Sequence, residues 1–162
     1  MDKFYVECMD LLDREFEGSS WNGPSLMATL DKLSATDAAN TASWEGYSAW
    51  EIANHCAQCK HIIATDLGIV SEPFRYTGSG LFLPPQTVSD SAWADDRAYY
   101  RNLHKRLLNG LRVLPENMLD KEMPTWKASF RAIIAWLCTH DAFHGAQIRS
   151  MGIPSLKEPK HQ

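Results

Sequence analysis

The chain has 162 residues, 44% of them hydrophobic and 22% charged, and a formal net charge of -4. Its length and composition suit a single globular domain whose core folds without disulfide staples. The acidic balance gives no basic field for a phosphate backbone, so nucleic acid is not expected as a partner.

The first seven residues, Met1 to Glu7, carry charges and lack the apolar stretch of a signal peptide, so a cytoplasmic location is expected. Residues 2 to 17 place Phe4, Cys8, Leu11, Leu12 and Phe16 at helical spacing, and Gly18-Ser19-Ser20 stops the pattern. A shorter amphipathic piece follows from Ser25 to Leu33, and Ser34 to Asp37 reads as a new turn or cap. The second long helix starts at Ser48-Ala49-Trp50-Glu51, a capping box in which Ser and Glu each satisfy an orphan backbone N-H, and it runs to about Gly68. Between Val70 and Gln86 the Pro and Gly content breaks helicity, leaving a long crossover loop.

The third helix is predicted from Ser89 or Asp90 towards Leu114-Pro115, and the fourth from about Lys127 to Met151, where Gly152 and Pro154 stop it. No convincing strand and no internal repeat are read. The fold class is therefore all-α, an antiparallel four-helix bundle with a short extra helix after the first and a long loop between the second and third. The most apolar run, Ala132 to Cys138, is far shorter than the roughly 20 residues that cross a bilayer, so no membrane partner is expected. The four cysteines, Cys8, Cys56, Cys59 and Cys138, lie in helical patterns and read as reduced thiols.

The chemistry concentrates on the fourth helix. Stepping four and three residues from Ile133 gives Leu137, His140, His144, Gln147 and Met151 on one stripe, so the inward seam turns polar in its middle. Two His one turn apart point the same way and can share a cation, which would offset the cost of burying their nitrogens. The plainer reading is that each imidazole hydrogen-bonds a neighbour. His55 on the second helix also faces inward, and three imidazoles from two helices would leave a fourth coordination position open to water or substrate.

Two segments, Ser48-Ala49-Trp50-Glu51-Ile52-Ala53-Asn54-His55 and His140-Asp141-Ala142-Phe143-His144-Gly145-Ala146-Gln147-Ile148, together with the lead-in Leu30 to Ser34 and Trp44, resemble the DinB/YfiT-like superfamily of metal-binding four-helix bundles. The resemblance implies one nickel or zinc ion per chain on His55, His140 and His144. It also implies a homodimer, and either a transferase or isomerase that uses a low-molecular-weight thiol or a hydrolase. The small-molecule substrate is not implied. Many relatives have Arg where this chain has Gly145 or Ala146.

The remaining residues carry weaker readings. Glu51 and Asp141 are the carboxylates nearest the histidines and could act as base or orienter. Glu51 has a sufficient job in the capping box, and Asp141 a sufficient one in a surface salt bridge. Cys59 reads as a buried thiol, or else as a fourth ligand. Cys138 reads as packing, His104 as an extra ligand or a core histidine, and His61 and His161 as exposed. Trp50, Trp136 and Phe143 read as core rather than as a substrate cage. A zincin reading of His140 to His144 is disfavoured by Asp in place of Glu and by the missing sheet. The non-enzymatic rival is a metal-binding or stress-response bundle with a closed coordination sphere.

Overall fold

The computed structural model describes residues 3–43 and 46–157, so Trp44 of the first linker and His161 lie outside the described residues. These residues form an all-helical chain in the order α1 (Lys3–Phe16), α2 (Leu26–Leu30), α3 (Ala35–Ala38), α4 (Ala49–Asp66), α5 (Asp90–Arg112) and α6 (Phe130–Ser150), with short 3-10 turns at Glu116–Met118 and Pro154–Leu156. Among the described residues there is no strand, only an isolated bridge between Glu122 and Ser129. Among the described residues no helix is long and apolar enough to cross a membrane.

Serine sets most of the helix starts. Ser25, Ser34, Ser48, Ser89 and Ser129 each accept the backbone N-H three residues on, and at Ser48 the Glu51 carboxylate completes a reciprocal capping box. Each such cap stabilises its helix by about 1 kcal/mol. Ser129 also corrects the expected start of the last helix from Lys127 to Phe130. Lys127 sits in the left-handed region at φ 55°, and Met123 N-H donates to the Ala128 carbonyl at 2.7 Å, so this turn cannot join the helix. At the other end Gly152 adopts φ 78°, a conformation a side chain would resist, and Pro154 follows it.

The four long helices share one core. α1 packs on α6 and α5, and α4 packs on α5 and α6. Leu12, Met27, Trp50, Ile63, Leu107 and Leu137 are wholly buried in it. Trp50 and Trp93 lie tilted against each other with centroids 4.8 Å apart. Their indole N-H groups stay satisfied, Trp50 donating to Asp96 Oδ2 at 2.6 Å and Trp93 to the Leu33 carbonyl at 2.9 Å. A Cβ at Gly110 would lie 2.3 Å from Ile69 Cδ1, so the bare glycine lets the chain leaving α4 pass close against α5.

The buried seam of α6 is rotated about one residue from the expected stripe. Its deepest positions are Ile134, Leu137, Cys138, Asp141 and Ile148, all at 2% exposure or less, while Ile133 and Met151 are only partly buried. Successive helical residues are about 100° apart, so a shift of one position changes which side chains face inward. Asp141, expected at the surface, is at 0% exposure. Trp136 and Phe143, expected in the core, stand 40% and 65% exposed. His140 and His144 lie between these extremes at 6% each, on the shoulder of the seam that faces α4.

Candidate metal centre

Packing of α4 on α6 brings His55 beside the two histidines of α6. The His55 Nε2 and His140 Nε2 atoms are 3.2 Å apart. Ring centroids are 4.5 Å apart for His140 and His144, 4.9 Å for His55 and His144, and 5.1 Å for His55 and His140. One nitrogen from each ring lies within 4.8 Å of the other two, a grouping that could hold a metal ion.

Neighbours fix the orientation of two of the rings. His55 Nδ1 is 3.1 Å from the Leu81 carbonyl, which can only accept, so Nδ1 carries the proton and Nε2 keeps its lone pair. His144 Nδ1 is 2.7 Å from Gln147 Oε1 and is fixed in the same tautomer. Partners of this kind behind a histidine are what hold an imidazole ready for a cation. Phe82 stacks on His55 at 4.6 Å and Tyr47 on Phe82 at 4.3 Å, so the crossover loop also supports the ring from its face.

Two of the rings, His55 and His140, are held towards the neutral form that binds metal. Burial pushes His55 down to about 4, with the nearby His144 adding to it. Burial likewise pushes His140 down to about 2, helped by His144, His55 and Lys60. His140 is left in a conflict that a cation would relieve at Nε2. Its Nδ1 is buried without a hydrogen-bond partner, while its Nε2 faces His55 Nε2. A proton on Nδ1 turns two lone pairs towards each other, and a proton on Nε2 leaves the Nδ1 acceptor unsatisfied. Nitrogens bound to zinc at 2.0–2.1 Å in a tetrahedron lie about 3.3 Å apart, close to the separation found here.

A second grouping, Cys56, His140 and Asp141, lies wholly buried behind the first. It suits a cation less well. Burial pushes the Cys56 thiol well above its usual range, and Asp141 Oδ2 already accepts from Lys60 Nζ at 2.5 Å. Lys60 and Asp141 are 1% and 0% exposed, and the ammonium also lies 3.9 Å from the centroid of Phe16. A buried pair of this kind replaces the expected surface role of Asp141. Neither residue type is normally inside unless paired, and each neutralises the charge the other could not carry there alone.

The other expectations divide. Glu51 is occupied by its cap, accepting from Ser48 N-H and hydroxyl at 2.7 and 2.8 Å. Cys59 Sγ lies 3.9 Å from both His55 nitrogens, but burial raises its thiol to about 12, so it is a packed, protonated neighbour. Cys138 donates to the Cys8 carbonyl at 3.0 Å within the core. His104 stacks on Phe16 at 3.9 Å and meets Asp13 Oδ1 at 3.2 Å; it belongs to neither metal-capable grouping among the described residues. His61, expected to be exposed, is 7% exposed and donates to the Glu72 carbonyl at 3.0 Å, because the start of the crossover loop folds over it.

Lys60, Asn54 and Tyr100 were missed as site-supporting residues. Lys60 was detectable in principle as a lysine on an apolar helix face between Ala53, Ala57 and Ala64. The partner that explains it is 81 positions away. The histidines open onto a cavity of about 500 Å³ lined also by Trp136, Thr139 and Phe143. Comparison of the chain with family models, curated proteins and solved structures found no match.

Proposed function

We propose that the chain is a metal-dependent enzyme of the DinB/YfiT-like kind, an antiparallel four-helix bundle holding one divalent ion on His55, His140 and His144. The observation that carries this reading is the meeting of three imidazoles, two of them held in one tautomer through Nδ1, on the floor of an open cavity. Nickel and zinc are the favoured ions, since imidazole suits both and both stand high in intrinsic affinity. When bound, such an ion acts as a Lewis acid that lets a water or a low-molecular-weight thiol lose its proton near neutral pH. The chain's own part is to hold the three rings, keep His55 and His140 unprotonated and leave the cavity side open. Glu51 and Asp141, engaged by the cap and by Lys60, are not assigned as the base.

The test is elemental analysis of the purified protein beside His140→Ala and His144→Ala, followed by a screen of thiols with electrophiles and of simple esters and amides. About one ion per wild-type chain, lost in both variants, is expected, with turnover that follows metal content. Equal metal in all three samples would remove the site, and full metal content without turnover would leave a structural or sensing protein. The resemblance further supports a homodimer, which light scattering giving a mass near the 18.3 kDa of one chain at high concentration would exclude.

A further inference from the structure

Resting on that functional reading, we infer that the cavity over the histidines takes a small, uncharged molecule with an aromatic or similarly flat apolar ring, whose one donor atom reaches the ion. The lining explains why. Of the six described residues around the cavity, His55, Trp136, Thr139, His140, Phe143 and His144, none carries a formal charge while the imidazoles are neutral. The charged pair Lys60 and Asp141, the second of them next to His140 in the chain, is buried and spent on itself. Thr139 can offer a ligand only an acceptor, because its hydroxyl proton is donated to the Trp136 carbonyl at 2.9 Å.

The apolar surface is arranged as walls rather than scattered. Trp136 lies 4.4 Å from the His140 ring, Phe143 5.0 Å from the His144 ring, and Phe82 is stacked on His55. Each imidazole thus has an aromatic side chain beside it. Trp136 and Phe143 remain 40% and 65% exposed, although they are large apolar residues on a helix whose other face is fully packed. A volume of about 500 Å³ lies within the range that accepts small organic ligands. Aromatic rings offset or edge-on to such walls gain more than burial alone. A multiply charged thiol would find no counter-charge in this lining, so among low-molecular-weight thiols the cavity favours one of low charge.

The probe for the test is 4-(4-fluorophenyl)imidazole, with imidazole as its ring-free reference and glutathione as a charged thiol. In cobalt-substituted protein, the change in the visible cobalt bands gives an affinity for each. The fluorophenyl ring is expected to tighten imidazole binding tenfold or more, and glutathione to bind more weakly than the fluorophenyl probe. In Phe143→Lys, at a position too exposed to disturb the core, and in Trp136→Ala, that ratio should fall towards one. A wild-type ratio near one, or a ratio unchanged in Phe143→Lys, would overturn the inference. If the protein takes up no cobalt, the metal reading fails and the metal-free arm decides. Fluorine line broadening of the probe by wild type but not by Phe143→Lys supports the apolar site, and its absence in both removes it.

Discussion

The Tyr100 hydroxyl donates to Asn54 Oδ1 at 2.6 Å, joining α5 to α4 one residue before His55. With its oxygen engaged, Asn54 turns its amide outward and donates through Nδ2 to the Leu83 carbonyl at 2.7 Å. That contact anchors the crossover loop two residues from Leu81, whose carbonyl fixes the tautomer of His55. Asn54 is 0% and Tyr100 3% exposed, so the relay works out of reach of water that could replace it. Tyr76 and Arg75 tie the start of the same loop to Asp96, the carboxylate that also receives the Trp50 indole.

Tyr100→Phe should therefore weaken zinc binding although it touches no ligand. Loss of a partner behind a ligating histidine typically costs 10- to 100-fold in metal affinity, and the low end is expected because Leu81 is held indirectly. The fold should survive, with about 1 kcal/mol lost for one hydrogen bond. Competition against a chromophoric chelator measures the first effect and urea unfolding of the metal-free protein the second. Wild-type affinity in the variant would show that the loop is held without Asn54.

The buried Lys60 and Asp141 pair predicts a non-additive mutant cycle. Asp141→Leu or Lys60→Met alone leaves one charge buried without its counter-ion, a loss of about 3–5 kcal/mol. The double variant Lys60→Met with Asp141→Leu removes both charges together. Its urea midpoint should lie above that of either single variant. A double variant as unstable as the sum of the singles would mean that the two residues act independently.

His104 predicts a loss of stability on acidification. Burial against Phe16, with Lys60 and Arg112 nearby, lowers its pKa from 6.5 to about 2, and the neutral ring donates through Nε2 to Asp13. Between those values the unfolded chain binds the proton and the folded one does not, so stability rises with pH across that window. The contribution is present above about 6.5 and is lost as pH falls below it, by up to about 1.4 kcal/mol per unit. Urea midpoints of metal-free wild type and His104→Gln at pH 7.5 and 5.5 isolate this contribution, since the other titrating groups are common to both. The wild type should lose more between the two pH values than the variant does.

Much of the helical framework was legible in local chemistry. Serine caps, the Ser48 and Glu51 box, the breakers from Val70 to Gln86 and Gly152 with Pro154 act through backbone groups within a few residues, so sequence alone located the long helices to within a turn. His55, His140 and His144 were also legible, because polar residues on an inward helical stripe need an explanation wherever they occur. The start of α6 was misplaced because Lys127 is held outside the helix by a backbone turn whose left-handed residue carries no glycine to announce it.

What only the tertiary structure decided is the rotation of each helix about its own axis and the identity of its long-range partners. A stripe read at helical spacing is uncertain by about one residue, or about 100°, and that uncertainty exchanges Asp141 for Trp136 and Phe143 between core and surface. The partners of Lys60, Asn54 and His55 lie 81, 46 and 26 positions away. No local pattern encodes such pairs. By itself the sequence determined that these helices form and that His140 and His144 share one face of the last, since both follow from periodicity and caps. Packing of α4 and the crossover loop against α6 decided that the three rings meet, which tautomers two of them hold, and that aromatic side chains flank the opening above them.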